Sequence, residues 1–170
     1  QKALNVTPEG EAESKRATAL LEKIPEPAAM ADLAEDAATN VWSGWLANGA
    51  RVHYRFMDYR KDQVTVSITF AGGNIEESAG TIGRTGVGTL AWNRPATSKL
   101  SSNDIRDLMT GKKIRVGGGA GADLVGLSVS GSPADLEFGM QLAHLLMTDP
   151  VVEQAAFDQW VKQQKLAISQ

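Results

Sequence analysis

The stretch at positions 111–131, GKKIRVGGGAGADLVGLSVSG, holds the residues whose types and spacing come nearest to a phosphate cradle. Gly117, Gly119 and Ala122 satisfy a loose G-x-G-x-x-[GA] spacing, and Lys112 and Lys113 stand just upstream. Such a loop grips phosphate because a strand ends, glycines turn, and a helix N-terminus aims free N–H groups at the anion. Here Val125, Leu127 and Val129 alternate with Gly126, Ser128 and Ser130 after the glycines. That is the period of a half-buried strand, not of a helix. The expected arrangement is strand, glycine turn, strand. The P-loop pattern fails as well, because Gly111-Lys112 is followed by Lys113 where Ser or Thr is required.

Metal chemistry finds few donors. A zinc site needs about three ligands from His, Cys or carboxylate held close together. The chain has two histidines and no cysteine. His53 and His144 lie far apart, with no E-x-x-H or H-x-x-E neighbour. His53 is expected on the polar face of a strand, and His144, in LAHLLM, as a partly buried, hydrogen-bonded side chain. Serines occur without the G-x-S-x-G elbow of a hydrolase. The carboxylate pairs Glu76-Glu77 and Glu35-Asp36 fall in turn or linker sequence, where solvated charge is the default. Trp42 and Trp45 could form a peptide-binding surface, but a role as core anchors is the simpler expectation. No residues are assigned to catalysis, cofactor binding or metal binding.

The positioning elements follow from pattern. With 170 residues there is room for one domain with a proper core. The net charge of −3 gives no basic face for nucleic acid. No apolar run approaches the roughly 20 residues that span a bilayer. No signal peptide is visible, although the chain opens on Gln1 and not on Met. Residues 1–40 are rich in Ala, Glu and Pro and poor in β-branched and aromatic residues. They are expected to be a linker carrying one helix, capped at Thr7 with Pro8 at its first position and running to about Lys23, where IPEPAAM breaks it.

From Val41 the pattern changes. Asn48-Gly49 between apolar flanks signals a hairpin; Val52, Tyr54 and Phe56, then Val64, Val66, Ile68 and Phe70, alternate with polar residues. Ile82, Val87, Leu90 and Ala91 have helical spacing over 79–94 despite four glycines, and SSNDIRDLMTGKK reads as a capped helix from Ser101 to Gly111. After the glycine hairpin, Ser132-Pro133 and Asp149-Pro150 start two more helices. The order β-β-β-α-α-β-β-α-α predicts an α+β fold, an antiparallel sheet with helices packed on one face.

The words LANGARVHYR, VSITFAGGNIEE, LSSNDIRDLMTGKKIRVGGGAGADLVGLSVSGSPADLEFGMQLAHLLMTDP and EQAAFDQWVKQQ resemble, in order, successive blocks of the pitrilysin-type zinc metallopeptidases. That family includes insulin-degrading enzyme and the mitochondrial processing peptidase. The resemblance covers roughly residues 42–165. It implies a clamshell parent of two halves, with an H-x-x-E-H zinc motif in the first domain of the first half. Here Val87, Leu90 and Ala91 stand where the motif's His, Glu and His would be, and none of them can bind zinc or activate water.

The resemblance therefore implies a non-catalytic domain from the C-terminal half of a zinc metalloendopeptidase, closing the peptide-binding chamber. Residues 1–40 would be the inter-half linker, and 41–170 the domain, truncated at its C-terminus. Zinc would be bound by an upstream domain of the parent and not by this segment, which should be inactive alone. The implied partners are the N-terminal catalytic half and a peptide or unfolded protein substrate, with no nucleic acid and no membrane. The implied compartment is the periplasm of a bacterium, with the cytoplasm as the alternative. The alternative function is a non-enzymatic assembly or binding subunit of the same fold.

Overall fold

The structure is a computed structural model and describes residues 17–58 and 60–168. Among the described residues, two three-stranded antiparallel sheets and five α-helices make an α+β fold. The first sheet is β1 (Met30–Asp36), β2 (Val41–Leu46) and β3 (Arg51–Tyr54), in that order. The second has the order β4-β6-β5, from β4 (Val64–Ala71), β5 (Ile114–Ala120) and β6 (Leu124–Gly131). The pattern predicted one sheet; the strands divide between two.

Strand β1 is also new. Its sequence, MADLAED, is poor in β-formers and exposed throughout, yet it pairs with β2 from Met30↔Leu46 to Asp36↔Val41. The β1–β2 turn is held by Asp36, whose carboxylate accepts from the Ala38 N–H at 2.9 Å and the Thr39 hydroxyl at 3.0 Å. Asn40 there takes φ 53°, a left-handed conformation that Asn tolerates. The β2–β3 hairpin turns where Asn48-Gly49 predicted. Only Gly49 takes positive φ, at 82°, and its N–H donates to the Leu46 carbonyl at 2.9 Å. This is a type I turn ending in a left-handed glycine, the longer of the common hairpin connections.

Most of the helix expected from Thr7 to Lys23 lies outside the described residues, and residues 17–23 carry no helix. Leu20 is nevertheless buried in the main core, with Ala17 packed against it.

That core lies between the second sheet and its helices. Ile114, Leu127 and Val129 from the sheet meet Ile105 of α3 (Ser102–Met109) and Leu142, Ala143 and Leu146 of α4 (Leu136–Thr148). Helix α3 forms as its sequence dictates. The Asp104 N–H donates to Ser101 Oγ at 3.2 Å, and the Ser101 N–H donates to the Asp104 carboxylate at 3.0 Å, a reciprocal capping box. A single 3₁₀ turn at Pro133–Asp135 leads into α4.

Helix α5 (Gln154–Ile168) begins later than Asp149-Pro150 suggested. Those two residues are otherwise engaged. The Asp149 carboxylate accepts from the Ser98 N–H at 3.1 Å and the Ser98 hydroxyl at 2.6 Å, and Pro150 bridges Thr97. Glu153 accepts from both the N–H and the hydroxyl of Ser102, at 3.1 and 2.5 Å, tying this approach to the start of α3.

Candidate functional site

The helix pair at the positions that the resemblance sets against the zinc motif was expected as one helix over 79–94. It is two short pieces, α1 (Arg84–Gly88) and α2 (Leu90–Asn93), broken at Thr89. Gly83, Gly86 and Gly88 weaken it locally, so tertiary contacts must hold it. At its start, the Glu77 carboxylate accepts from the Thr85 N–H at 2.8 Å and the Gly83 N–H at 3.0 Å. These bonds, first the Thr85 amide and then the Gly83 amide, hold the Glu77 carboxyl below the usual carboxylate range. From α5, Trp160 approaches Gly86 and stacks with Phe157 at 6.2 Å between ring centroids.

A carboxylate whose folded pKa is depressed stabilises the fold above its unfolded value, and that contribution is lost as pH falls through the folded value. Acidification below the usual carboxylate range is therefore expected to release the start of α1 before the α4 core. The expected signal is an early loss of exchange protection at the Gly83 and Thr85 amides. Simultaneous loss at Leu142 and Leu146 would contradict it.

The other end of the pair is fixed to the sheet. Trp92 lies against Gly118 of β5: a Cβ at Gly118 would overlap Trp92 Cε3 and lie 2.9 Å from Cδ2. The Trp92 Nε1–H donates to the Leu146 carbonyl at 3.0 Å. Asn93 reaches the same glycine with both ends of its carboxamide, Nδ2 donating to the Gly118 carbonyl at 2.8 Å and Oδ1 accepting from the Gly118 N–H at 3.2 Å. Sequence reasoning missed this lock and put the glycines in a turn. Gly117, Gly118 and Gly119 lie inside β5, and the turn is at 121–123. A run of glycines within a strand signals close approach of another group, and here the group is Trp92.

The hairpin tip has its own seat. The Gly121, Ala122 and Asp123 carbonyls accept from the Asn74, Ile75 and Gly72 N–H groups at 3.0, 2.8 and 3.0 Å. Gly73, at φ 110°, sits where a Cβ would overlap the Gly121 oxygen.

Val87 and Leu90 are half-buried and Ala91 is buried. None carries a donor atom for a metal, so this helix pair does not fit zinc. His53 is on exposed β3, its Nδ1 2.8 Å from Ser43 Oγ across the hairpin, while His144 is half-buried on α4. Among the described residues no three of His, Cys, Asp or Glu come together as a metal-holding group. Glu35 and Asp36 are the last two residues of β1; Glu76 is exposed, and Glu77 is the anchor of α1.

Trp42 and Trp45 project to opposite faces of β2. Trp42 pairs with Tyr54, and Trp45 lies 5.4 Å from the Arg51 guanidinium. Both tryptophans remain exposed, which corrects their expected place as core anchors. The lysines of the opening motif also turn elsewhere: Lys112 Nζ is 3.5 Å from Asp135 Oδ1 and 5.0 Å from the Phe138 ring centroid. Strand β6, not a helix, follows the glycines, so the chain lacks the glycine-to-helix step that a phosphate loop uses there. Away from the helices, the second sheet presents a shallow depression of Ser67, Thr69, Gly117, Gly119, Gly126 and Ser128.

This fold is shared with proteases. The chain superposes on the periplasmic protease PqqL from Escherichia coli with a TM-score of 0.78 at 18% identity, covering 91% of this chain and 17% of that one. A mutant of the ferredoxin protease FusC, in complex with Arabidopsis ferredoxin, gives 0.72 at 18% identity, covering 88% and 17%. A protease from Helicobacter pylori gives 0.58 at 16% identity, covering 74% and 29%. The chain thus spans about a sixth of the length of the first two structures. No protein-family model matches it, and a search of curated proteins finds no match. The fold agrees with the resemblance to pitrilysin-type peptidases carried by the sequence. No described helix is long and apolar enough to cross a membrane.

Proposed function

We propose that this chain is a non-catalytic domain from the C-terminal half of a zinc-dependent metalloendopeptidase, closing the peptide-binding chamber opposite the zinc-bearing half. The observation that carries the proposal is the placement of Val87, Leu90 and Ala91 on α1 and α2, in a fold shared with far longer proteases. The fold supplies the case for a protease parent; the three side chains supply the case against catalysis here. Residues 1–40 join the halves and residues 41–170 form the domain, with β1 and Leu20 fastening the joining segment to it. Zinc belongs to an upstream domain of the parent. The substrate is a peptide or unfolded protein, and the compartment is the periplasm.

Zinc titrated calorimetrically into the purified chain is expected to reveal no stoichiometric site of sub-micromolar affinity, and the chain alone should cleave no peptide. Added to the part of its parent that carries H-x-x-E-H, it should raise peptidase activity. A tight site or cleavage by the chain alone overturns the non-catalytic assignment. A stable complex without any peptidase activity favours the assembly subunit instead.

A further inference from the structure

Among the described residues strand β5 is an edge: it pairs with β6 and with no other described strand. In an antiparallel ladder the N–H and C=O groups of alternate residues point toward the partner and away from it. Lys113 and Gly121 bond inward, to Ser132 and Leu124, so Val116, Gly118 and Ala120 turn their backbone groups outward. An edge carrying three glycines in a row is an open template for another strand. Gly117 and Gly119 carry no side chains of their own, so nothing on those residues would hinder an incoming backbone.

The middle outward position is already taken. A carboxamide carries one acceptor and one donor group in the same relation as a peptide unit. Asn93 uses both on Gly118, at 3.2 and 2.8 Å, and so occupies the bonds that a partner strand would make there. Trp92, fixed to the Leu146 carbonyl, holds the segment in place. We propose that Asn93 is an edge plug, an internal contact that keeps β5 from accepting an extended polypeptide strand. A strand could pair fully along β5 only by displacing α2's last residue.

The unaltered chain supplies the first test. By hydrogen exchange the Gly118 amide should be protected while the Val116 and Ala120 amides exchange faster; equal rates at all three overturn the proposal. Asn93→Ala should speed Gly118 exchange on the order of tenfold, the scale of one lost hydrogen bond. It should also gain binding of a short blocked peptide of alternating threonine and valine, read by fluorescence anisotropy, which the unaltered chain lacks. Asn93→Asp keeps the acceptor but loses the donor, and should gain binding to a lesser degree while preserving the packing of α2. If neither variant gains peptide binding, or if the unaltered chain binds the peptide equally well, Asn93 is not a plug.

Discussion

Gly118→Val is expected to destabilise the fold by about 3 kcal/mol, the upper range of overpacking. The new Cβ would overlap Trp92 and come within 2.7 Å of the Gly126 carbonyl oxygen. The indole has little room to retreat, because its Nε1–H is bonded to Leu146 on α4. Displacing α2 would in turn pull Asn93 from both bonds to Gly118. Urea denaturation measures the loss. Combining the substitution with Trp92→Ala should cost less than the sum of the two alone, since the indole that blocks the side chain is gone; coupling between touching residues runs about 0.5–3 kcal/mol. Rescue should be partial, because the Gly126 oxygen remains. Strict additivity, or a single-variant cost below about 1 kcal/mol, would show that the contact is slack.

Leu142→Ala is expected to cost about 3–4 kcal/mol, within the range for a large-to-small change at a buried site. Leu142 is 1% exposed and belongs to the cluster that joins α4 to Leu127, Val129 and Ile105. The cavity would open between a helix and a hydrogen-bonded sheet, and neither can collapse far to fill it. Ile82, 79% exposed, is the control: its replacement by alanine should shift stability by no more than about 0.5 kcal/mol. Equal effects at the two positions would mean that the core lies elsewhere.

The elements legible in the sequence are those whose cause is local. Ser101 and Asp104 cap α3 from three residues apart, and β4 and β6 show their buried faces by alternation over Val64–Ile68 and Leu127–Val129. Strand β1 was illegible because Ala, Asp and Glu carry no strand preference, and its stability comes from pairing with the apolar VWSGWL of β2. Helices α1 and α2 read as one helix in the sequence because apolar spacing persists across Thr89, where the structure breaks the run beside Gly86 and Gly88. The late start of α5 reflects Asp149 serving Ser98, a contact across 51 positions. At the candidate site, the lack of ligand chemistry at Val87, Leu90 and Ala91 could be read directly. The lock of Trp92 and Asn93 on Gly118 joins positions 25 and 26 apart, and only the glycine run hinted at it.

The second sheet also sets an order of assembly. Strands β5 and β6 are joined by a short turn and can close as a hairpin on the microsecond scale typical of local pairs. Strand β4 reaches β6 only by pairing Ala71 with Leu124 and Val64 with Gly131, across the whole of α1, α2, α3 and β5. Closing so long a loop is entropically unfavourable before its contacts form. The hairpin should therefore stand first, with Gly118 already flanked by Leu127 and awaiting Trp92. Strand β4, with Gly72 and Gly73 at its end, then closes last over the hairpin tip. Until it does, β6 has one free side, and the nascent chain is most open to mispairing during that interval.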